Sequence, residues 1–232
     1  MKERPIIFRA DEVRAILDGR KTQTRRVMKP QPSDDFCPDI AQGDEPTAID
    51  NNGEMYPGKP IFGVPDKYED QGYKSPYGQP GERLWVRETW QAIHDSTDEW
   101  GHVEERTYAP SIPKEKDTYW HTVYQEYFGD ENREDRGFPW RPAIHMPREA
   151  SRITLEITGV RVERLRDISE EDARSEGIID GGCINCGNPE PCSCDTPNPD
   201  ARDSFVYLWQ SIYGEESWQT NPFVWVIEFK RV

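Results

Sequence analysis

Apolar residues recur at strand and helix periods in four separated stretches of the chain, with long polar intervals between them. Ile6, Ile7 and Phe8 after Pro5 predict a short strand. Val13, Ile16 and Leu17 then share one face of a helix over residues 11–18, with Asp11 as its cap and Gly19 as the left-handed residue that ends it. Leu84 and Val86 alternate with Trp85 and Arg87 after a Pro80-Gly81 turn, the pattern of a half-buried strand. The clearest strand spans residues 152–162, with Ile153, Leu155 and Ile157 on one face, and residues 163–167 are read as its continuation. Ser169, followed three residues later by Asp172, opens a helix that Gly177 ends. Phe205, Leu208, Trp209 and Ile212 recur at helical spacing over residues 201–213, a stripe read as core in preference to a ligand wall. Phe223, Trp225, Ile227 and Phe229 alternate with mostly aliphatic neighbours, which predicts a strand buried on both faces.

The intervals lack such periodicity. Residues 30–80 are rich in Pro, Gly, Asp and Asn with isolated aromatics, and are expected to be irregular loops lying over the core. Residues 95–136 form a second polar insertion with short strands around residues 105–108 and 118–123, and residues 181–203 form a third. Residues 138–148 are stiffened by three prolines, and this rigidity suggests that Trp140, His145, Arg141 and Arg148 are presented for contact. One elaborated domain is expected.

Composition changes this picture little. Only 34% of the 232 residues are hydrophobic and 31% are charged, yet eight Trp, ten Tyr and eight Phe supply large areas to bury. The net charge of -15 argues against a protein that grips long nucleic acid mainly through phosphates, while leaving room for a local basic patch. The N-terminal residues do not resemble a signal peptide, and no apolar stretch approaches membrane-spanning length. A cytoplasmic protein with no membrane partner is expected; oligomeric state is not legible.

Candidate chemistry concentrates in Gly19-Arg20-Lys21-Thr22-Gln23-Thr24-Arg25-Arg26, where an amine, hydroxyls and guanidiniums leave a helix end together. The plainer alternative is a solvated basic loop. In a regular strand Lys21 and Thr24 would point to opposite faces, so both serve one site only if Lys21 lies in the turn before pairing begins. Cys183-x-x-Cys186 with Cys192-x-Cys194 offers four thiolates for a tetrahedral structural zinc, against the alternatives of unliganded thiols or a disulfide; Cys37 is left over.

The Lys21 block, Gly81-Glu82-Arg83-Leu84-Trp85-Val86-Arg87-Glu88, Ala173-Arg174-Ser175-Glu176-Gly177 and Val226-Ile227-Glu228-Phe229 together resemble the ASCH domain family. Ile144-His145-Met146-Pro147-Arg148 resembles an element of its larger members, found in phages and prophages. The resemblance implies an α+β, PUA-like fold: a small mixed β-barrel with flanking helices. Core blocks would lie at about 5–28, 81–91, 150–178 and 203–232, with insertions at about 30–80, 95–136 and 181–203.

Short bacterial members of that family are N4-acetylcytidine amidohydrolases that use a Lys, a Thr three residues later and a Glu on the following helix. Carried over by residue, these fall on Lys21, Thr24 and Glu176. The implied chemistry has Thr24 attack the acyl carbonyl, Lys21 take its proton, and Glu176 shuttle a proton or orient Lys21; activation of water by Glu176 is the variant. Arg20, Arg25 and Arg26 would hold a phosphate or carbonyl oxygen through their forked donors, with surface salt bridging to the abundant acids as the equal alternative. Trp85, Glu88, His145 and Arg148 would complete substrate binding, although core packing is the simpler reading of Trp85. No metal is needed for catalysis, and the zinc would be structural. The expected substrate is a small nucleoside or base. The alternatives are a non-catalytic ASCH module binding RNA or modified nucleic acid, and a ribonuclease, for which no histidine pair is evident.

Overall fold

A computed structural model describes residues 2–32, 41–43, 47–49, 55–56, 61–65, 71–114, 119–129, 131–179, 185–186, 193–194 and 201–232. β1 (Glu3–Ile7) leads through α1 (Ala10–Leu17) into β2 (Gln23–Val27). β3 (Ala41–Gly43), β4 (Thr47–Ile49), β5 (Met55–Tyr56), β6 (Ile61–Pro65) and β7 (Gln71–Lys74) follow. Next come β8 (Arg83–Arg87), β9 (Trp90–Thr97), β10 (Val103–Ala109) and β11 (Trp120–Tyr124). The short helices α2 (Gln125–Phe128) and α3 (Arg133–Arg136) precede the long strand β12 (Thr154–Arg164). α4 (Glu170–Ser175), α5 (Ala201–Tyr213) and α6 (Glu215–Gln219) precede β13 (Phe223–Arg231).

The four apolar stretches meet in one mixed sheet of order β1-β8-β12-β13-β2, with β1 parallel to β8 and the other pairs antiparallel. β13 is buried on both faces, as its composition predicts. Trp225, Ile227 and Phe229 pack with Phe8, Val13, Leu84 and Leu155 on one side. Val224 and Val226 pack with Leu165, Ala173, Phe205 and Trp209 on the other. One strand therefore separates two cores.

Three expectations need correction. The sheet is open where a closed barrel was expected: no ladder joins β1 to β2 among the described residues. Instead Arg26 on β2 donates from Nη2 to the Ile7 carbonyl on β1 at 2.7 Å, so a guanidinium takes an acceptor that a backbone ladder would use. The architecture is mixed α+β. Second, the interval 30–80 is not wholly irregular, because β3 to β7 form a sheet of order β3-β6-β7-β4-β5. Those strands are two to five residues long, too short for alternation to register as a pattern. Third, Asp11 does not cap α1. Arg9 is the N-cap, and Glu12 reaches back to its backbone N–H at 2.9 Å.

Smaller differences follow from local geometry. Residues 165–167 curl into a 3-10 turn instead of prolonging β12. The second insertion is an antiparallel sheet of order β10-β9-β11, begun by β9 almost directly after β8. Among the described residues no helix is long and apolar enough to cross a membrane.

Candidate functional site

Two helix ends build the site. α1 closes with a full Schellman motif: Gly19, at φ 76°, donates to the Ile16 carbonyl and Arg20 donates to the Ala15 carbonyl. α4 ends in the same way, with Gly177 at φ 92° donating to Arg174 and Ile178 to Ala173. The turns lie against each other so closely that a Cβ on Gly177 would come within 2.8 Å of the Ala15 Cβ and 3.0 Å of the Lys21 Cβ. Lys21 and Glu176 form an isolated antiparallel bridge, and the Thr22 N–H donates to the Ser175 carbonyl at 2.8 Å. Lys21 thus precedes the regular strand, which starts at Gln23. This is the condition under which Lys21 and Thr24 can serve one site.

The Lys21 ammonium is buried and spends its donors locally. It reaches Glu176 Oε2 at 2.6 Å, the Glu176 carbonyl at 2.9 Å and Glu12 Oε1 at 3.4 Å. A cation beside the free carbonyls of a helix C-terminus is favoured by the helix dipole as well as by the carboxylates. The second oxygen of Glu176 faces Arg25 Nη1 at 3.3 Å. Arg25 is itself fully buried and bonded from Nε to Glu163 Oε1 at 3.0 Å, with Asp172 Oδ2 at 3.3 Å from Nη2. Both Glu176 oxygens are therefore held by cations, which fixes the carboxylate's rotamer. Burial alone would raise the Asp172 carboxyl, but hydrogen bonds from Gln23 and Ser169 and the Arg25 charge hold it well below the usual range.

In front of this cluster lies a cavity of about 200 Å³. Glu12, Thr24 and Glu176 form its polar side with Arg9, Arg25 and Arg26, and Phe205, Trp209 and Tyr213 from α5 form an aromatic side. The Thr24 hydroxyl makes no hydrogen bond among the described residues. The buried indole N–H of Trp209 has no partner either, an arrangement that costs free energy unless a ligand or water supplies an acceptor. Lys21 does not line the cavity; it stands behind Glu176.

The remaining predicted contact residues are not brought to this cavity. Arg20 donates to the Gly177 carbonyl at 2.9 Å and to Asp18, tying the two helix ends together. Trp85 is buried, with the Arg87 and Arg148 guanidiniums over its ring. Glu88 is buried and held by both arms of Arg152 at 3.0 and 2.9 Å, yet burial pushes its carboxyl above the ordinary range. His145 is exposed in a 3-10 turn, and Arg148 pairs with Glu3. The proline-stiffened run is anchored by the buried Phe138 and Met146 rather than free to present its length. Cys186 is an exposed free thiol and Cys194 is partly buried, whereas Cys37, Cys183 and Cys192 lie outside the described residues. Among the described residues no group of three or more His, Cys, Asp or Glu is placed to hold a metal ion.

Sequence reasoning missed Glu12 and the α5 wall. Glu12 carried a signal, since a Glu three residues after the N-cap is half of a capping box, but Arg9 is not a usual cap. Phe205 and Trp209 are core, as read, and also wall the cavity, while Ile212 and Tyr213 at the same stripe's end are about 40% exposed. No family model, curated protein or solved structure matches the chain.

Proposed function

We propose that the protein is an amidohydrolase that removes the acyl group from N4-acylated cytosine in a nucleoside-type substrate, on a PUA-like, ASCH-type scaffold. One observation carries this reading: an unbonded Thr24 hydroxyl and the Glu176 carboxylate face one aromatic-walled cavity, with the Lys21 ammonium fixed 2.6 Å behind the carboxylate. The aromatic side, including a partnerless indole N–H, suits a flat heterocycle bearing carbonyl acceptors.

The geometry favours a particular division of labour. Lys21 donates to the carboxylate and the backbone carbonyl of Glu176 and lies 3.4 Å from Glu12, so it is held as a paired cation and Glu176 is the basic group nearest the substrate. Thr24 Oγ1 attacks the acyl carbon as its proton passes to Glu176. The tetrahedral oxyanion forms in the cavity that the Arg9, Arg25 and Arg26 guanidiniums line. When the C–N bond breaks, Glu176 returns the proton to the departing cytosine amine. Water then attacks the Thr24 ester as its proton passes to Glu176, and Glu176 returns that proton to Thr24 Oγ1 when the Oγ1–acyl bond breaks and the carboxylic acid leaves. Lys21 keeps Glu176 oriented throughout and favours its ionised form before each proton transfer.

The test is release of cytidine from N4-acetylcytidine, followed by ultraviolet absorbance. Thr24→Ala and Glu176→Gln should each lower kcat by about 100-fold or more, the usual worth of a nucleophile or acid–base group. Lys21→Ala should behave similarly. Unchanged rates in Thr24→Ala and Glu176→Gln would refute the assignment.

A further inference from the structure

A second cavity, of about 270 Å³, adjoins the first. Arg26 and Tyr213 line both, so they form the partition between the two spaces. The second is walled by Arg26, Lys29, Tyr77, Tyr213 and Trp225 with Val27 and Pro76, and among the described residues no carboxylate lines it. In a chain with 44 acidic and 29 basic residues, a wall whose described residues include two cations and no acid is a local reversal of sign.

The cations retain donors for a ligand. Arg26 bonds the Ile7 carbonyl through Nη2, while its buried Nε has no partner. Lys29 is exposed and makes no ion pair among the described residues. The neighbouring Tyr77 phenol is raised above its ordinary value by burial, with the Arg26 charge acting in the opposite sense, so it stays protonated as a further donor. An arginine fork, an ammonium and a phenol around one space form a donor set for a tetrahedral oxyanion.

We propose that this second cavity is a phosphate subsite, and that the substrate is therefore a cytidine nucleotide rather than a free base or nucleoside. The proposal rests on the reading of the first cavity as the base site. With the acylated base between Thr24, Glu176 and the α5 aromatics, the ribose crosses the partition and its phosphate meets Arg26 and Lys29. The phosphate comes either from a mononucleotide or from a linkage in an oligonucleotide.

The experiment compares kcat/KM for N4-acetylcytidine, its 5′-monophosphate and a short oligonucleotide carrying one N4-acetylcytidine, in the wild type, Lys29→Ala and Lys29→Arg. The wild type should prefer a phosphorylated substrate by about tenfold, the order of one charge-assisted bond. Lys29→Ala should reduce that preference at least several-fold and Lys29→Arg should retain it. The better of the two phosphorylated substrates identifies the source of the phosphate. Equal rates for nucleoside and both phosphorylated forms, or a preference untouched by Lys29→Ala, would overturn the subsite. If none of the three is hydrolysed, the amidohydrolase reading fails and binding decides the subsite separately. Tryptophan fluorescence should then show cytidine 5′-monophosphate binding more tightly than cytidine, with the difference reduced in Lys29→Ala; equal binding of the two would overturn it.

Discussion

Gly177 illustrates how the site depends on a residue with no functional group. Its positive φ is unfavourable for any side chain, and an added Cβ meets Ala15 and Lys21 at 2.8 and 3.0 Å. Gly177→Ala should cost about 2–4 kcal/mol, combining backbone strain with overpacking, as read from urea denaturation. It should also lower activity, because the turns that separate are those carrying Lys21 and Glu176. The glycine was legible in the sequence as a helix terminator, and the Lys-x-x-Thr spacing already posed the geometric condition that the turn at Lys21 satisfies. Of Glu12, only its place in a half capping box carried a local signal. Its second carboxylate oxygen depends on where α1 lies relative to α4, a long-range packing outcome that no local pattern encodes.

Among the elements, α4 is a six-residue helix far too short to persist alone, and it is held by what Asp172 does at its start. That carboxylate closes a capping box with Ser169 and accepts from Gln23 at 2.9 Å and Arg161 at 2.7 Å. Its folded-state value is depressed, so the stability it contributes is present above the ordinary carboxylate value of 3.8 and is lost as pH falls through the lower folded value. Asp172→Asn should destabilise by roughly 2 kcal/mol at neutral pH. Urea melts should show the gap from wild type beginning to close only below about pH 4. The capping box at Ser169 and Asp172 was readable because both partners are local. The dual duty of α5 was not, since helical periodicity marks an apolar face without saying whether its end meets core or empty space.

Across the whole molecule, Glu88 connects parts of the chain that the sequence kept apart. It is bonded by Arg152, which also bonds Glu126 of α2 at 3.1 Å, and Glu126 in turn accepts from Arg14 of α1 at 3.3 Å. Burial raises the Glu88 carboxyl despite Arg152, so its contribution to stability is full below the ordinary value of 4.5 and declines as pH rises through the raised folded value. Wild type should therefore lose stability relative to Glu88→Gln as pH rises above about 4.5, a slope that paired denaturation curves would reveal. An absent slope would mean that Glu88 is as easily ionised in the fold as in the unfolded chain. The strands and helices of the core sheet were largely legible because each carries its own period. The open edge and the sheet within residues 41–74 were not, because they depend on pairing partners and on strands of only a few residues.

The pairing of β2 with β13 has a consequence for synthesis. Val27 lies opposite Val224 and Thr24 opposite Ile227, so the strand that carries the candidate nucleophile finds its ladder partner about two hundred residues downstream. A nascent chain that has emerged only as far as α6 holds β2 with neither backbone partner nor a completed core on either side. High contact order of this kind slows folding and leaves an unpaired edge exposed meanwhile. Acquisition of activity during translation should accordingly be abrupt, tied to the emergence of β13 rather than to that of the residues that perform the chemistry.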